Sequence, residues 1–156
     1  LRFGGVCANI TEGFLERTLD FCDLIRIRIK EYNDLFSFNH VFLKRSSTIG
    51  ALEEQVARSQ GVTGPNARAA GVKFDVRKNS PYSGYGKVDF EIPIGQGEYG
   101  AIGSAHDRFL VRLREIIQST EIIRQAIDHL PDGDFLKSLM LVIIFHLTIY
   151  LATNNT

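Results

Sequence analysis

Hydrophobic residues recur at steps of three and four along a first long stretch of the chain, which begins after Thr11. The apolar positions are Leu15, Leu19, Cys22, Ile25, Ile29, Tyr32 and Phe36. A stripe with this spacing lies on one face of an α-helix. The pattern therefore predicts an amphipathic helix over residues 12–36, one face of which must pack against another part of a protein.

A second stretch with the same spacing follows Ser104. Serine favours the N-cap position, and Asp107 places an acid in the first turn, where the helix dipole stabilises it. The stripe comprises Phe109, Leu113, Ile116, Thr120, Ile123, Ile127 and Leu130, broadened by Leu110 and Ile117. Pro131, Asp132 and Gly133 then stop a helix. The pattern predicts a second long helix over residues 104–130.

The sequence between these helices predicts little regular structure. Leu52 to Gln60 is typical of a short helix ended by Gly61, whereas residues 38–49 fit no single pattern. Residues 71–100 are rich in glycine and should be mostly irregular. Within them, Val88 to Ile92 alternates apolar and acidic residues, as a short strand would. The expected fold class is therefore mainly α with a little β.

The segment from Gly95 to Gly103 contains four glycines. It lacks the G-x-G-x-x-G pattern after a strand and the Lys-Ser or Lys-Thr that follows the glycines of a phosphate-binding loop. A flexible connection is the expected role.

Composition narrows the possible functions further. The 156 residues contain 18 lysines and arginines against 18 aspartates and glutamates, so no net charge favours nucleic acid or an anionic membrane. Cys7 and Cys22 form no C-x-x-C pair and are expected to be small buried hydrophobes. The histidines have no metal-ligand spacing, and no metal site or self-contained active site is expected. The chain opens on Leu1 rather than Met, and is expected to be part of a longer protein.

Several segments resemble one family in its own order. Residues 63–82 read TGPNARAAGVKFDVRKNSPY, similar to TGP-x-x-R-A-S-G-V-x-x-D-x-R-K-x-x-P-Y of the D subunit of NADH–quinone oxidoreductases. The segments LRFGGV, KEYNDLFSFN, KRSSTIG and DRFLVRLREI resemble further motifs of that family. The similarity covers about residues 2–134, and His106 stands where the family usually has tyrosine. Residues 1–135 are expected to form the C-terminal part of that D subunit.

The resemblance implies a partial nickel–iron hydrogenase large-subunit-like helical domain without the metal. It implies a core subunit of a complex-I-type enzyme that passes electrons from an iron–sulfur cluster on a partner subunit to a quinone, coupled to ion translocation by membrane partners. The partners would be the iron–sulfur subunit and other peripheral-arm subunits. The enzyme's peripheral arm would lie at the cytoplasmic face of the membrane. The donor is NADH or a deazaflavin. This part of the chain is expected to bind no cofactor and to be inactive alone.

The resemblance also marks candidate residues for the wall of the quinone cavity or for the partner interface. These are Arg68, Asp75, Arg77, Lys78, Asp107 and Arg108. A cation near a reducible centre stabilises its reduced, more negative form. In the simpler alternative, Asp75 pairs with an arginine to hold an irregular loop, and Asp107 caps its helix. The family's quinone-contacting histidine and tyrosine have no counterpart here, so no quinone ligand is assigned.

The last residues, 136–156, differ from the rest. Lys137 is the one formally charged residue among them, and Leu139 to Ala152 is a nearly continuous apolar run, shorter than the roughly 20 residues that cross a bilayer. We expect this tail not to match the family, because the gene has a frameshifted or chimeric end. We also expect exposed apolar surface to make the isolated chain self-associate. Two other functions stay open: a membrane-bound nickel–iron hydrogenase remnant and a non-catalytic scaffold.

Overall fold

The computed structural model describes residues 8–130. The described residues divide by packing into two units: Leu19–His129 forms one, and residues 8–18 with Leu130 belong to the other. The smaller described unit contains the start of a helix at Phe14, and Leu19–His129 contains the remaining elements. The α-helices of the described residues are α1 (Phe14–Tyr32), α2 (His40–Ser46), α3 (Glu54–Ser59), α4 (Gly64–Ala69), α5 (Val76–Asn79) and α6 (Ala105–Asp128). A π-helical turn spans Asn33–Ser37 and a 3-10 turn spans Tyr85–Lys87.

Both predicted long helices are confirmed, as α1 and α6. The Ser104 hydroxyl accepts a hydrogen bond from the Asp107 backbone N–H at 3.3 Å, so the predicted N-cap is present. Ion pairs join Arg26 to Glu121 and Asp23 to Arg124, so the two helices run antiparallel. Cys22 is fully buried as expected, whereas Cys7 lies outside the described residues.

Helix α2 is an element that the sequence pattern did not identify. The Asn39 side chain caps it by accepting a hydrogen bond from the Val41 N–H at 2.9 Å. Behind it, the rings of Phe36 and Phe42 lie 4.2 Å apart, and Phe109 of α6 packs edge-on against Phe42 at 5.3 Å. This aromatic contact holds the turn after α1, helix α2 and the start of α6 together.

The buried core of the central part of the chain is built from small side chains. Ala57, Ala67, Ala70 and Val72 form the cluster, and Leu52 and Val62 pack against it. Gly61 follows α3 with φ of +64°, in the left-handed region that its predicted capping role requires. Because alanine side chains are small, α3 and α4 can approach each other closely. Helix α4 also packs on α6.

The predicted strand at Val88 to Ile92 is wrong: within residues 8–130 this segment pairs with no other strand. The Gln125 amide donates to the Asp89 carbonyl at 2.6 Å and accepts from its N–H at 2.7 Å, and the Gln118 side chain accepts from the Glu91 N–H at 2.9 Å. Side chains from α6 thus replace the neighbouring strand that an extended backbone normally requires.

The expected flexible connection at Gly95 to Gly103 is instead a packed loop. Backbone N–H groups of Gly95 and Ala101 donate to the carbonyls of Arg68 and Ser47, both at 2.9 Å. A Cβ at Gly95 would collide with the Ala69 carbonyl, and one at Gly100 with the Ser47 carbonyl. The glycines therefore permit close backbone approach rather than freedom of movement. Among the described helices, none is long and apolar enough to cross a membrane.

Candidate functional site

Three of the six candidate residues meet around one buried carboxylate, that of Asp75. Asp75 caps the N-terminus of α5, and Arg77 lies in the first turn of that helix. Arg68 comes from the last turn of α4. Arg68 and Asp75 come close together because the segment between α4 and Asp75 begins with a tight turn. In this turn the Val72 N–H donates a hydrogen bond to the Ala67 carbonyl at 3.1 Å.

Arg77 binds the Asp75 carboxylate through two guanidinium nitrogens and its own backbone. Its Nε donates to Oδ1 at 3.0 Å and its Nη2 to Oδ2 at 2.7 Å, while its backbone N–H donates to Oδ1 at 2.9 Å. These hydrogen bonds, with the charges of Arg77 and Arg68, hold the pKa of Asp75 below its ordinary value although burial opposes them. The same pairing raises the pKa of Arg77.

Arg68 is itself buried, with 8% of its side chain exposed, and is bound on two sides. Its Nε donates to Glu115 Oε1 at 2.5 Å, and its Nη1 lies 3.4 Å from Asp75 Oδ2. The same Nη1 donates to the Phe74 carbonyl at 3.3 Å. A buried guanidinium with two carboxylate partners is compensated in charge, so Arg68 bridges α4, α6 and the loop before α5.

Glu115 is the member of this network that sequence reasoning missed. It lies on α6, 47 residues beyond Arg68, within the segment DRFLVRLREI. Nothing in the local spacing relates the two residues, because only the packing of α4 on α6 brings them together. We define the Asp75 network as Arg68, Asp75, Arg77 and Glu115.

Lys78 and Arg77 also hold the extended segment that follows. The Lys78 ammonium donates to the Phe90 carbonyl at 2.5 Å and lies 3.5 Å from an Asp89 oxygen. The Arg77 guanidinium lies 5.0 Å from the centre of the Phe90 ring and 5.8 Å from that of Tyr85, within cation–π distance of both. Phe90 is accordingly buried beside two cations.

Asp107 and Arg108, the remaining candidates, lie elsewhere and hold the glycine loop. Asp107 Oδ2 accepts from the backbone N–H groups of Gly97 at 3.0 Å and Gly103 at 3.2 Å. Arg108 Nη1 donates to the carbonyls of Gly50 at 2.7 Å and Gly103 at 2.6 Å. The structure thus divides the candidates between the surroundings of Asp75 and the glycine loop. The Asp75 network lines a cleft.

That cleft has a volume of about 650 Å³, within the size range of small-ligand pockets. Its charged floor is the Asp75 network. Its other lining residues are Thr63, Gly64, Phe74, Val76 and Tyr82. The last three are half-exposed at its rim. The cleft therefore offers guanidinium donors beneath an apolar mouth. Within residues 8–130, no group of three or more His, Cys, Asp or Glu side chains is arranged to hold a metal.

The fold and the site define a mainly helical chain with a charge-compensated arginine–carboxylate network at the side of its longest helix. Comparison with known families then identifies it: the chain belongs to the family described as the respiratory-chain NADH dehydrogenase 49 kDa subunit, whose model matches residues 1–150. The predicted family boundary at residue 135 stays a prediction.

Curated relatives agree with this assignment. The chain is 44% identical over 136 residues to the NADH-quinone oxidoreductase D subunit of Syntrophobacter fumaroxidans, covering 87% of this chain and 35% of that protein. It is 38% identical over 133 residues to the D 2 subunit of Anaeromyxobacter dehalogenans, and 41% identical over 133 residues to the D subunit of Desulforamulus reducens, covering 85% of this chain and 35% of each protein. The chain thus spans about a third of the length of the curated relatives it matches.

Proposed function

We propose that this chain forms part of the core subunit of a complex-I-type enzyme, which passes electrons from a partner's iron–sulfur cluster to a quinone. The observation that carries the proposal is the family match over residues 1–150. It also favours the quinone branch over a nickel–iron hydrogenase. The relatives bear the name NADH-quinone oxidoreductase, which supports NADH over a deazaflavin as the donor.

Within that enzyme, we propose that the Asp75 network shapes the wall between the quinone cavity and the cluster-bearing neighbour. Arg77 supports this role because, although it is bound to Asp75, a quarter of its side chain remains exposed and it lines the cleft. A guanidinium in such a place would stabilise a reduced, more negative quinone nearby. The partners would be the iron–sulfur subunit and other peripheral-arm subunits, and the complex would reach the membrane's cytoplasmic face through its membrane partners.

Asp107 and Arg108 have a supporting role in this proposal. They fix the glycine loop and the start of α6, and α6 in turn carries Glu115 into the Asp75 network. Their contribution to electron transfer would be indirect, through the position of α6, whereas Arg77 would act through its charge.

Substitution of Arg77 by alanine in the assembled complex tests the proposal. Quinone reduction per assembled complex is expected to fall by about tenfold or more, the size of effect that a well-placed charge has on a reaction. Arg58→Ala is the matched control, because Arg58 forms an exposed ion pair with Glu54 away from the cleft. If Arg77→Ala lowered the yield of complex but left the turnover of each complex intact, the chain would be a scaffold in this region.

A further inference from the structure

Glu115 is connected to Arg77 of the cleft through two other side chains of the Asp75 network. Its Oε1 accepts from Arg68 Nε at 2.5 Å, Arg68 Nη1 lies 3.4 Å from Asp75 Oδ2, and Asp75 binds Arg77. The Arg77 side chain is 25% exposed, whereas the other three are 16% exposed or less. A chain of ion pairs therefore links a buried charge on α6 to the guanidinium that reaches the cleft.

Both arginines of the network approach the same carboxylate oxygen, Asp75 Oδ2. Arg77 Nη2 donates to it at 2.7 Å, whereas Arg68 Nη1, at 3.4 Å, lies beyond the usual length of a hydrogen bond. Arg68 is held at this distance by its hydrogen bonds to Glu115 and to the Phe74 carbonyl. Glu115 thus determines how one carboxylate is divided between two cations.

Loss of the Glu115 charge would change this division. Among the described residues, Arg68 would then keep one carboxylate partner, that of Asp75. Because a buried guanidinium needs a compensating charge, Arg68 would move closer to Asp75 Oδ2. Arg77 is the cation with access to water, so its contact with that oxygen would weaken. The Phe90 ring, 5.0 Å from the Arg77 guanidinium, would limit the movement to a loosened contact.

We propose that Glu115 is a positioning residue for Arg77: by neutralising Arg68, it leaves the Asp75 carboxylate to Arg77 and fixes that guanidinium where it lines the cleft. The hydrogen bond to Asp75 is the largest cause of the raised pKa of Arg77, and the Glu115 charge adds to it, in agreement with this link. The consequence for electron transfer rests on the proposed function, but the arrangement of the side chains is measurable on the chain by itself.

Hydrogen exchange of the Arg77 Nε–H, followed by NMR on the whole 156-residue chain, measures this arrangement. The Nε–H donates to Asp75 Oδ1 at 3.0 Å, and its resonance is assigned by its absence in Arg77→Lys. Glu115→Gln is expected to raise the exchange rate by about tenfold, because members of one ion-pair network are coupled. Glu98→Gln is the matched control and should leave the rate unchanged. Glu98 also binds an arginine of α6, Arg114, at 2.5 Å, but does not line the cleft.

A double variant separates positioning from a purely structural role. In Arg68→Met with Glu115→Gln, the cation that competes for Asp75 is absent, so the Arg77 exchange rate should return to within about threefold of wild type. If Glu115 only fastens α4 to α6, the double variant should exchange as fast as Glu115→Gln or faster. That result, or an unchanged rate in Glu115→Gln, would overturn the proposal. If Glu115→Gln does not fold, slow exchange in a folded double variant supports the proposal, and an unfolded double variant contradicts it.

Quinone reduction by the assembled complex separates this inference from the proposed function. Glu115→Gln is expected to lower turnover per complex by about threefold, less than Arg77→Ala, because it acts on Arg77 indirectly. If Arg77 exchange responds to Glu115→Gln but neither variant changes turnover, the positioning holds and the electron-transfer role of the network fails. If Arg77→Ala lowers turnover while Arg77 exchange is the same in Glu115→Gln as in wild type, the proposed function stands and the positioning is wrong.

Discussion

Two buried aspartates, Asp75 and Asp107, each fix an irregular segment of this chain, but with partners of different kinds. Both are 4% exposed. Asp75 binds two guanidinium groups, from Arg68 and Arg77. Asp107 binds backbone N–H groups of two glycines.

The difference determines what each carboxylate charge contributes. Around Asp75 the partners are cations held largely out of water, and loss of the carboxylate charge leaves Arg77 without its carboxylate partner and Arg68 with Glu115 alone. Around Asp107 the partners are neutral amides, which any well-placed oxygen can satisfy. The same substitution, aspartate to asparagine, should therefore have a large effect at Asp75 and a small one at Asp107.

The largest expected effect is that of Asp75→Asn. Removal of one partner from a buried ion-pair network typically costs about 3–5 kcal/mol, because the remaining charges lose their compensation. We expect the free energy of unfolding to fall by about that amount, as measured by urea denaturation. Arg58→Ala, which breaks an exposed pair with Glu54, is the control and should cost less than about 1 kcal/mol. Equal losses in the two variants would show that the Asp75 network is no stronger than a surface pair.

Acid should remove the same contribution from the wild-type chain. Because the pKa of Asp75 is lowered on folding, the unfolded chain takes up its proton first as the pH falls. The stabilisation is therefore complete above the ordinary aspartate pKa of about 3.9 and is lost as the pH falls through the lower, folded value. Urea denaturation from about pH 7 to about pH 2 checks this: the stability difference between wild type and Asp75→Asn should shrink below about pH 4. A constant difference across that range would refute the assignment.

The glycine loop should tolerate no added methyl group at Gly95. A Cβ there meets the Ala69 carbonyl and lies 2.9 Å from Asp107 Oδ2, so the loop must move away from α4 and from Asp107. Gly95→Ala should cost about 1–3 kcal/mol of unfolding free energy, a typical cost of overpacking. At Gly86 a Cβ would meet only the Pro81 Cβ, at an ordinary 3.5 Å, so Gly86→Ala is the matched control. The prediction fails if both alanines are equally tolerated.

Asp107→Asn completes the comparison with the smallest expected loss. The asparagine carbonyl can still accept from the Gly97 and Gly103 N–H groups, so only the extra strength of a charged acceptor and its interaction with the helix dipole are lost. We expect a loss of about 1–2 kcal/mol in the same denaturation measurement. A loss as large as that of Asp75→Asn would mean that the charge of Asp107, and not its hydrogen-bonding geometry, holds the loop.

The sequence by itself determined the elements whose causes are local. The apolar spacing and the Ser104 cap specified α6, the same spacing specified α1, and Gly61 specified the end of α3. The motifs between residues 63 and 82 indicated the family that the comparison then identified. The helices and the cap have causes within a few residues along the chain, so their patterns can be read without a fold.

The tertiary structure alone decided which distant groups satisfy one another. Val88 to Ile92 has the alternation of a strand, yet Gln118 and Gln125 take its hydrogen bonds, because α6 lies alongside it. Arg68 finds Glu115 only because α4 packs on α6. The glycines of residues 95–103 fit a flexible linker in the sequence, but close backbone contacts with residues 47 and 69 require them. Long-range hydrogen bonds and steric contacts depend on where the helices pack. The spacing of residues along the chain does not predict this packing.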